Sequence, residues 1–378
     1  MDEAKILLSN ILSLGDWATW KNSIDQVEEC LKSWRSKTNR INFRRVYLVG
    51  CGSSYYAGQV GKWIIEHIAH LPAEAKQAFS FTHYTDSSLF TRDTLVIGLS
   101  TTGNTVATNE ALSLARQNGA TTLAITAVPD SKITRSADDT IFTGGRISVI
   151  VQTETYVQSL IALYLVALNL VEKENRLNKV QEYWHNQIRT AREITHEFLD
   201  TQQAKIIELV EEYQSADNFF ILGNGPNAGT AEEAALKVIE MAKMFSDGSE
   251  MEDFFHGRDR ELVKGSAIFF LAPQSHVLER MFDFLTFNRM ADVPSIVITC
   301  QNIPELKRLA YHEIFLRGAL DEFATPLVYI TPLYLFSYHL ALKRGFDPIS
   351  RRYPVPALKV QYRGSEYDQS MKEVRDEI

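Results

Sequence analysis

Short apolar runs alternate with longer segments of helical periodicity over most of the chain. Such runs are typical of buried parallel strands, and the periodic segments are typical of helices that cover them. The first half predicts strands at 44–50, 77–83, 94–99 and 121–126 and helices at 54–70, 105–118 and 154–171. The second half predicts strands at 218–223, 266–271 and 294–299 and helices at 229–245, 276–291 and 326–344. This alternation indicates an α/β protein with doubly wound parallel sheets.

The pattern divides the chain into two α/β domains with flanking segments. A chain of 378 residues is long for one core and natural for two domains of about 150 residues each. The first residues are helix-periodic, the middle segment is charged and helix-periodic, and the end is Pro- and Arg-rich and then acidic. We therefore predict a helical arm at 1–40, a first domain at 41–172, a helical connector at 173–216, a second domain at 217–345 and a tail at 346–378.

Two strand–turn–helix units share one layout. VYLVGCGSSYYAG at 46–58 is a β-branched strand followed by a Gly/Ser turn, and FFILGNGPNAGT at 219–230 repeats this order. A glycine-rich turn before a helix brings free backbone N–H groups and the positive end of the helix dipole together, which suits an anion. The sequence therefore predicts an internally duplicated protein that handles a phosphorylated small molecule.

Composition excludes several classes of partner. Hydrophobic residues make up 45% and charged residues 23%, so the chain can bury large cores. A net charge of −8 argues against nucleic-acid and anionic-membrane partners. Cys30, Cys51 and Cys300 lie far apart, so we expect neither a zinc site nor a disulfide scaffold, and no metal. The N-terminus is unlike a signal peptide and no apolar run approaches about 18 residues, so we expect a cytoplasmic protein.

Hydroxyl side chains are densest at 98–105, where GLSTTGNT ends a strand and opens a helix. The hydroxyl residues are Ser100, Thr101, Thr102 and Thr105. Together with unpaired helix N–H groups they suit a phosphate monoester. The alternative is an ordinary N-capped helix, against which the CGSS turn at 51–54 argues. Neither a Walker A motif nor G-x-G-x-x-G occurs here, which disfavours nucleotide binding and leaves no organic cofactor expected.

Several of these pieces resemble a known family, the tandem sugar-isomerase (SIS) fold. They are GCGSSYYAG, LSTTGNT, the QTETYVQSLIAL helix, and LGNGPNAGTAEEAALKVIEMAKM followed by FFHG. The resemblance covers about 40–362 and implies two flavodoxin-like domains, as in the isomerase half of glucosamine-6-phosphate synthase and in fructosamine-6-phosphate deglycases. It implies that the sugar phosphate is held by Ser54, Ser100, Thr101, Thr102 and Thr105, with Gly52 and Ser53 as further candidate contacts. Without an N-terminal catalytic Cys, no glutamine-dependent synthesis is expected.

A carboxylate and a histidine of the second domain are candidate catalytic residues. Proton transfer between adjacent sugar carbons needs a carboxylate base and a second group that opens the ring. Glu240 lies on a mostly apolar helix face and His256 in a Phe-lined loop. A solvated helix residue and a carbonyl-capping loop residue are the alternative interpretations. The resemblance implies that Glu240 is the base and that His256 opens the ring from a neighbouring subunit, hence a homodimer or higher homo-oligomer.

Other charged residues near this pair have open roles. Lys237 is one turn before Glu240 on the same face, and the resemblance implies that it polarises the substrate oxygen. We interpret Glu232 and Glu233, about two turns before Glu240, as structural. Arg258 replaces the proline that usually follows the family's His-Gly, and either meets a substrate carboxylate or pairs with a neighbouring acid.

The end of the chain bears on the choice of substrate. DPISRRY at 347–353 resembles the ending of the deglycases, and Lys359 is the nearest candidate for a tail contact. We therefore expect a cofactor-independent deglycase that cleaves a 6-phosphorylated fructosamine (Amadori compound) into a hexose 6-phosphate and an amine or amino acid. One alternative, favoured by Lys237, is an isomerase or deaminase of the glucosamine 6-phosphate type. The other is a non-catalytic sugar-phosphate-binding protein, which would not need the Glu/His pair.

Overall fold

The computed structural model describes residues 3–38, 41–145, 147, 151–171 and 174–352. The chain begins with two helices, α1 (Glu3–Leu12) and α2 (Trp17–Thr38). The first domain then contains β1 (Arg45–Gly50), α3 (Ser53–Ala69), β2 (Ala73–Gln77), α4 (Ala78–Tyr84), β3 (Thr94–Leu99), α5 (Val106–Gln117), β4 (Thr121–Thr126), α6 (Ile133–Ser136), β5 (Asp139–Phe142) and α7 (Glu154–Asn169).

The second half repeats the alternation after two connecting helices. These are α8 (Glu174–Thr201) and α9 (Gln203–Tyr213). The second domain contains β6 (Asn218–Gly223), α10 (Pro226–Ala242), β7 (Ser246–Glu250), α11 (Met251–Phe254), β8 (Ser266–Leu271), α12 (Leu278–Met290), β9 (Ser295–Thr299), α13 (Pro304–Leu309), β10 (His312–Phe315) and α14 (Pro326–Lys343).

Both domains contain a five-stranded parallel sheet with the same strand order. The first sheet is ordered β2-β1-β3-β4-β5, and the second, read from the other edge, is β7-β6-β8-β9-β10. Every strand pair is parallel. The predicted class, two tandem doubly wound α/β domains, is therefore confirmed. In each sheet the second strand is added on one side of the first and all later strands on the other side, so the winding switches between β1 and β3 and between β6 and β8. Ligands bind at such switch points.

The two domains also agree in the backbone angles at equivalent positions. Gly52, before α3, has φ 54° and ψ −132°, and Gly225, before α10, has φ 53° and ψ −125°. The two helices also end alike, on His70 and Lys243 in the left-handed conformation. Both halves therefore present the same glycine turn and helix start at the carboxyl edge of their sheets.

The two domains pack through α3 and α10, which cross at close range. A Cβ on Gly229 would lie 2.9 Å from the carbonyl oxygen of Tyr56. Near the other end of α10, Leu236 approaches Gly52, so each helix begins beside the later part of the other. Helices α7 and α14 are buried along nearly their whole length, which explains why they are apolar on all faces. One hydrophobic cluster runs from Leu7 in α1 to Ala341 in α14.

The predicted strand at 77–83 is wrong. The strand in this region is β2, and residues 78–84 form helix α4 instead. The strand AEAKQ is polar because it lies at an edge of the sheet, whereas the aromatic residues of AFSFTHY that suggested a strand pack from a helix. The sequence pattern also missed β5, β7 and β10. Among the described helices, none is long and apolar enough to cross a membrane.

Candidate active site

The first glycine turn leads into α3, and its Ser54 N–H donates to the Cys51 oxygen at 3.2 Å. Gly52 is the N-cap of this helix and provides no side-chain cap. Its φ of 54° with ψ −132° is accessible to glycine and strained for other residues. Ser53 and Ser54 follow as the first helical residues and are half-buried. The backbone N–H groups of such a helix start are suited to an anion.

The hydroxyl-rich turn after β3 has the same character. Ser100 Oγ and Thr105 Oγ1 lie 2.9 Å apart, and Thr105 is the N-cap of α5 without a capping side-chain hydrogen bond. Because the Thr105 hydroxyl pairs with Ser100, it leaves the first N–H groups of α5 open to a ligand. Thr102 Oγ1 accepts the Asn104 N–H at 3.3 Å, which orders the middle of the turn.

These two turns lie next to each other at the carboxyl edge of the first sheet. Strands β1 and β3 are neighbours, with Val49 opposite Gly98, and both turns follow directly. We call residues 51–54 and 100–105 together the candidate phosphate site. It lies at the switch point of the first sheet, where this topology places ligands. By this definition it includes the five predicted phosphate-binding residues, Ser54, Ser100, Thr101, Thr102 and Thr105.

A buried lysine of the second domain contacts this site. Lys237 is 1% exposed, and its Nζ lies 3.1 Å from Ser53 Oγ. The same Nζ lies 2.5 Å from Glu240 Oε2 and 3.4 Å from Glu233 Oε1. Tyr334, from α14, donates its hydroxyl to Glu233 Oε1 at 3.1 Å. The structure therefore brings the predicted pair Lys237 and Glu240 to the candidate phosphate site.

The charges of this cluster are strongly coupled. Burial raises the pKa of the Glu233 carboxyl to about 7, although Lys237 opposes the shift. Burial also acts to lower the pKa of Lys237, but the nearby charges of Glu233 and Glu240 outweigh it and raise that pKa. The ammonium is therefore held in its charged form beside the half-exposed Glu240. Glu233, which we interpreted from the sequence as structural, is a member of the cluster. It is buried by α14, and nothing in the sequence around Glu233 indicates this contact.

His256 lies elsewhere in the same chain. It follows α11, at the edge where β6 ends and α10 begins, whereas Glu240 is near the far end of α10. At about 1.5 Å per residue, the helix separates Glu240 from Pro226 by about 21 Å. The structure does not bring His256 and Glu240 together within one chain.

The hydrogen bond of His256 defines which ring nitrogen is free. Its Nδ1 lies 2.7 Å from the backbone oxygen of Glu252, and a carbonyl can only accept, so Nδ1 carries the proton. In the neutral ring this leaves Nε2 as the acceptor. The side chain is 67% exposed, so Nε2 is open to a ligand or to another subunit.

Two further residues, Arg258 and Lys359, were predicted as possible substrate contacts. Arg258 pairs with two acids of its own chain, with Asp247 at 3.0 Å and Asp253 at 3.2 Å. This is the second of the two interpretations weighed for Arg258. Lys359 lies outside the described residues. Within the described ranges, no group of three or more His, Cys, Asp or Glu side chains is arranged to hold a metal ion.

Comparison with protein families identifies the two domains. The SIS domain family matches residues 41–169 and again residues 212–344. The chain belongs to the SIS domain family. Both matches contain a parallel sheet and its glycine turn, and the first contains the whole candidate phosphate site.

Curated relatives share the SIS region with this chain. A glutamine–fructose-6-phosphate aminotransferase (isomerizing) of Gloeobacter violaceus is 30% identical over 309 residues, which is 81% of this chain and 50% of the relative. The protein of the same name from Aquifex aeolicus is 30% identical over 330 residues, 85% of this chain and 53% of the relative. The chain thus spans about half the length of these relatives.

Solved structures show the same fold. The C-terminal domain of glucosamine-fructose-6-phosphate aminotransferase from Francisella tularensis has a TM-score of 0.80 at 21% identity, covering 91% of this chain and 97% of that one. Glucosamine-6-phosphate deaminase from Thermotoga maritima has a TM-score of 0.67 at 21% identity, covering 89% and 97%. At 21% identity, these similarities show a shared fold and nothing more.

Proposed function

We propose that the protein is an enzyme that moves a proton between carbons 1 and 2 of a sugar phosphate. The observation that carries this proposal is the 3.1 Å contact between Lys237 Nζ and Ser53 Oγ. In this contact an ammonium of one domain, with its partner carboxylate, lies against the helix start of the other domain that we propose as the anion site. A phosphoryl group held there leaves the carbonyl end of a small sugar beside Glu240.

Each group of the cluster has a role that fits this chemistry. The candidate phosphate site supplies neutral hydroxyl and N–H donors, which a dianionic phosphoryl group can use without a basic patch. Glu240 is the half-exposed carboxylate and acts as the base. The Lys237 ammonium stabilises negative charge that develops on the substrate oxygen. His256, from a second subunit, opens the sugar ring through Nε2.

The specific reaction proposed is deglycation of a 6-phosphorylated fructosamine. Glu240 removes the proton from carbon 1, next to the ketone, and an enaminol forms. The proton returns to carbon 2, which leaves an imine at carbon 1. Water hydrolyses the imine to a hexose 6-phosphate and a free amine. These steps need no redox partner and no group donor besides water.

An isomerase or deaminase of the glucosamine 6-phosphate type is the second candidate. It would use the same base and phosphate site, with ammonia in place of a substituted amine. Two observations favour it. Lys237 is held in the cluster as a charged group, and the curated relatives carry isomerizing aminotransferase names. The pairing of Arg258 with Asp247 and Asp253 removes one reason to expect a substrate carboxylate.

A coupled assay for glucose 6-phosphate separates these candidates. Phosphorylated Amadori compounds of several amines are compared with glucosamine 6-phosphate, and the amine or ammonia released is measured in parallel. Release of a substituted amine with glucose 6-phosphate supports the deglycase. Release of ammonia from glucosamine 6-phosphate, or its aldose–ketose interconversion without release, supports the second candidate. Binding without any of these reactions supports a non-catalytic sugar-phosphate-binding protein.

Replacing Glu240 tests the base. We expect Glu240→Gln to lower turnover by about 10²–10⁴-fold because the amide cannot accept the proton, while sugar-phosphate binding is largely retained. Turnover is followed with the coupled assay and binding by calorimetry. The exposed Glu110 on α5 provides a matched control, and Glu110→Gln should keep the wild-type rate. A Glu240→Gln protein with wild-type turnover would exclude Glu240 as the base.

A further inference from the structure

Helix α12 holds the turn that carries His256, together with the short helix α11 before it. Arg280 of α12 donates two hydrogen bonds to the Glu252 carboxylate, from Nε to Oε2 and from Nη2 to Oε1, each 2.8 Å long. Ion pairs at an exposed surface usually contribute little, but an arginine that binds both oxygens of a carboxylate fixes its position. These hydrogen bonds lower the pKa of the Glu252 carboxyl, so the group is ionised at neutral pH.

Aromatic contacts attach the same turn to α12 and keep Arg280 in place. The ring of Phe255 stacks on that of Phe284, with centroids 3.8 Å apart and 7° between the planes. The Arg280 guanidinium lies 4.5 Å from the centroid of the same Phe284 ring, within the range of a cation–π contact. Its Nη1 also donates to Asp283 Oδ2 at 3.3 Å. Arg280 is therefore oriented by its own helix as well as by Glu252.

The Glu252 carboxylate lies close to the His256 ring without a hydrogen bond to it. The two residues are four apart, a spacing at which helical side chains meet. Glu252 Oε1 is 3.7 Å from His256 Nδ1, beyond hydrogen-bond distance, whereas the backbone oxygen of Glu252 is 2.7 Å from the same nitrogen. The carboxylate oxygen nearest the imidazole is the one that Arg280 Nη2 binds. Arg280 thus restrains and neutralises a negative charge beside the ring.

We propose that Arg280 is a positioning residue that keeps the Glu252 carboxylate off His256, so that Nε2 of the imidazole stays a proton acceptor. A carboxylate released by Arg280 would move toward Nδ1 and stabilise the doubly protonated, cationic ring. In that ring Nε2 carries a proton and cannot accept another. This role of Arg280 rests on the proposed function, in which Nε2 takes the proton of the anomeric hydroxyl and returns it to the ring oxygen as the C–O bond of the sugar ring breaks.

Nuclear magnetic resonance of protein labelled with ¹⁵N-histidine measures the protonation of the His256 ring directly. The spectrum distinguishes a ring protonated on Nδ1 alone from one protonated on both nitrogens, and His256→Ala identifies the signal among the nine histidines. We expect Arg280→Gln to raise the ratio of doubly protonated to neutral ring by roughly tenfold at the same pH. Adding Glu252→Gln should return this ratio to the wild-type value, because no carboxylate remains to be released. A folded Arg280→Gln protein with the wild-type ratio would overturn the proposal, and so would a raised ratio that persists in the double variant.

Turnover measurements distinguish this role of Arg280 from the role of His256 itself. In Arg280→Gln, kcat/KM should fall by up to about tenfold and recover when Glu252→Gln is added, while calorimetry shows unchanged binding of fructose 6-phosphate. A purely structural ion pair would instead make Glu252→Gln as harmful as Arg280→Gln. Arg289→Gln, at an exposed arginine of the same helix, is the matched control, and thermal unfolding reports whether each variant is folded.

The two measurements fail independently. If the His256 ring responds to Arg280→Gln as expected but the His256→Ala protein keeps wild-type turnover, the proposed role of His256 in ring opening is wrong. The control of its protonation by Arg280 then still stands. If His256→Ala is inactive and the ring is unchanged in Arg280→Gln, the proposed function stands and the role of Arg280 is refuted.

Discussion

A single buried ammonium links the two domains at the candidate active site. Lys237 is almost fully buried and has three partners, of which Ser53 comes from the first domain and Glu233 and Glu240 from its own helix. A buried charge is tolerated only when it is paired and hydrogen-bonded. The positions of the Ser53 hydroxyl and of the Glu240 carboxylate are therefore fixed by the same group.

Glu233 gives this cluster a pH dependence that unfolding measurements can detect. Its pKa is raised from 4.5 to about 7, so the folded state holds a proton that the unfolded chain releases near 4.5. The associated stability is present at low pH and is lost as the pH rises from about 4.5 to about 7. We expect denaturant unfolding of the wild type to lose on the order of 2 kcal/mol more than Glu233→Gln over this interval.

The matching control is the same substitution at Glu208, which is exposed on α9. Glu208→Gln should follow the wild-type pH profile. Parallel profiles for the wild type and Glu233→Gln between pH 5 and pH 8 would show that Glu233 does not carry the proton.

Sequence spacing could predict part of this cluster. Lys237 and Glu240 are three residues apart on a helix, which places them on one face. Glu233 is one turn before Lys237 on the same face, but nothing local distinguishes it from the neighbouring Glu232. What distinguishes Glu233 is Tyr334, about 100 residues further along the chain, which covers and hydrogen-bonds it. Such a contact depends on tertiary packing and has no local pattern.

At the level of elements, the function proposed here depends on helix starts that lack a capping side chain. Helices α3 and α10 both begin after a glycine whose angles other residues adopt only with strain. The two turns are alike in backbone and differ in side chains, since α3 continues with two serines and α10 with proline and asparagine. The same substitution at both glycines therefore distinguishes the effect of backbone strain on stability from an effect on ligand binding.

We expect Gly52→Ala and Gly225→Ala to destabilise the protein alike, by roughly 1–3 kcal/mol each, because both force alanine to a positive φ. Only Gly52→Ala should also weaken sugar-phosphate binding, since the added methyl group and any shift of the turn affect the candidate phosphate site. Denaturant unfolding and calorimetry with fructose 6-phosphate measure the two effects. Equal loss of sugar-phosphate binding in both variants would mean that the effect is global and not local to Gly52.

The strands show where the apolar pattern is informative. The six strands predicted at their correct positions, β1, β3, β4, β6, β8 and β9, are the inner strands of the two sheets. The four that were missed or misplaced, β2, β5, β7 and β10, are all edge strands. An inner strand is covered on both faces and needs an apolar run. An edge strand such as β7, SDGSE, is held by backbone pairing with β6 and needs no such run.

On the scale of the whole molecule, the antiparallel crossing of α3 and α10 gives each helix start a neighbour from the other domain. The start of α3 meets Lys237, and the start of α10 meets Trp63 of α3. The same arrangement places the turn that carries His256 at the sheet edge where α10 begins, and Glu240 lies about 21 Å further along α10 than Pro226. If both residues act on one substrate, the histidine must come from another copy of the chain, and the proposed active site is complete only in an oligomer.

Mixing two inactive variants tests this shared site. We expect Glu240→Gln and His256→Ala to be inactive alone. In a dimer of the two variants, one site combines the intact Glu240 of one chain with the intact His256 of the other. Random exchange makes about half of the dimers mixed, so activity should recover to about a quarter of the wild-type value. Native mass spectrometry verifies the exchange, and each variant exchanged with itself is the control. A verified mixture that remains inactive would contradict a histidine supplied across the subunit interface.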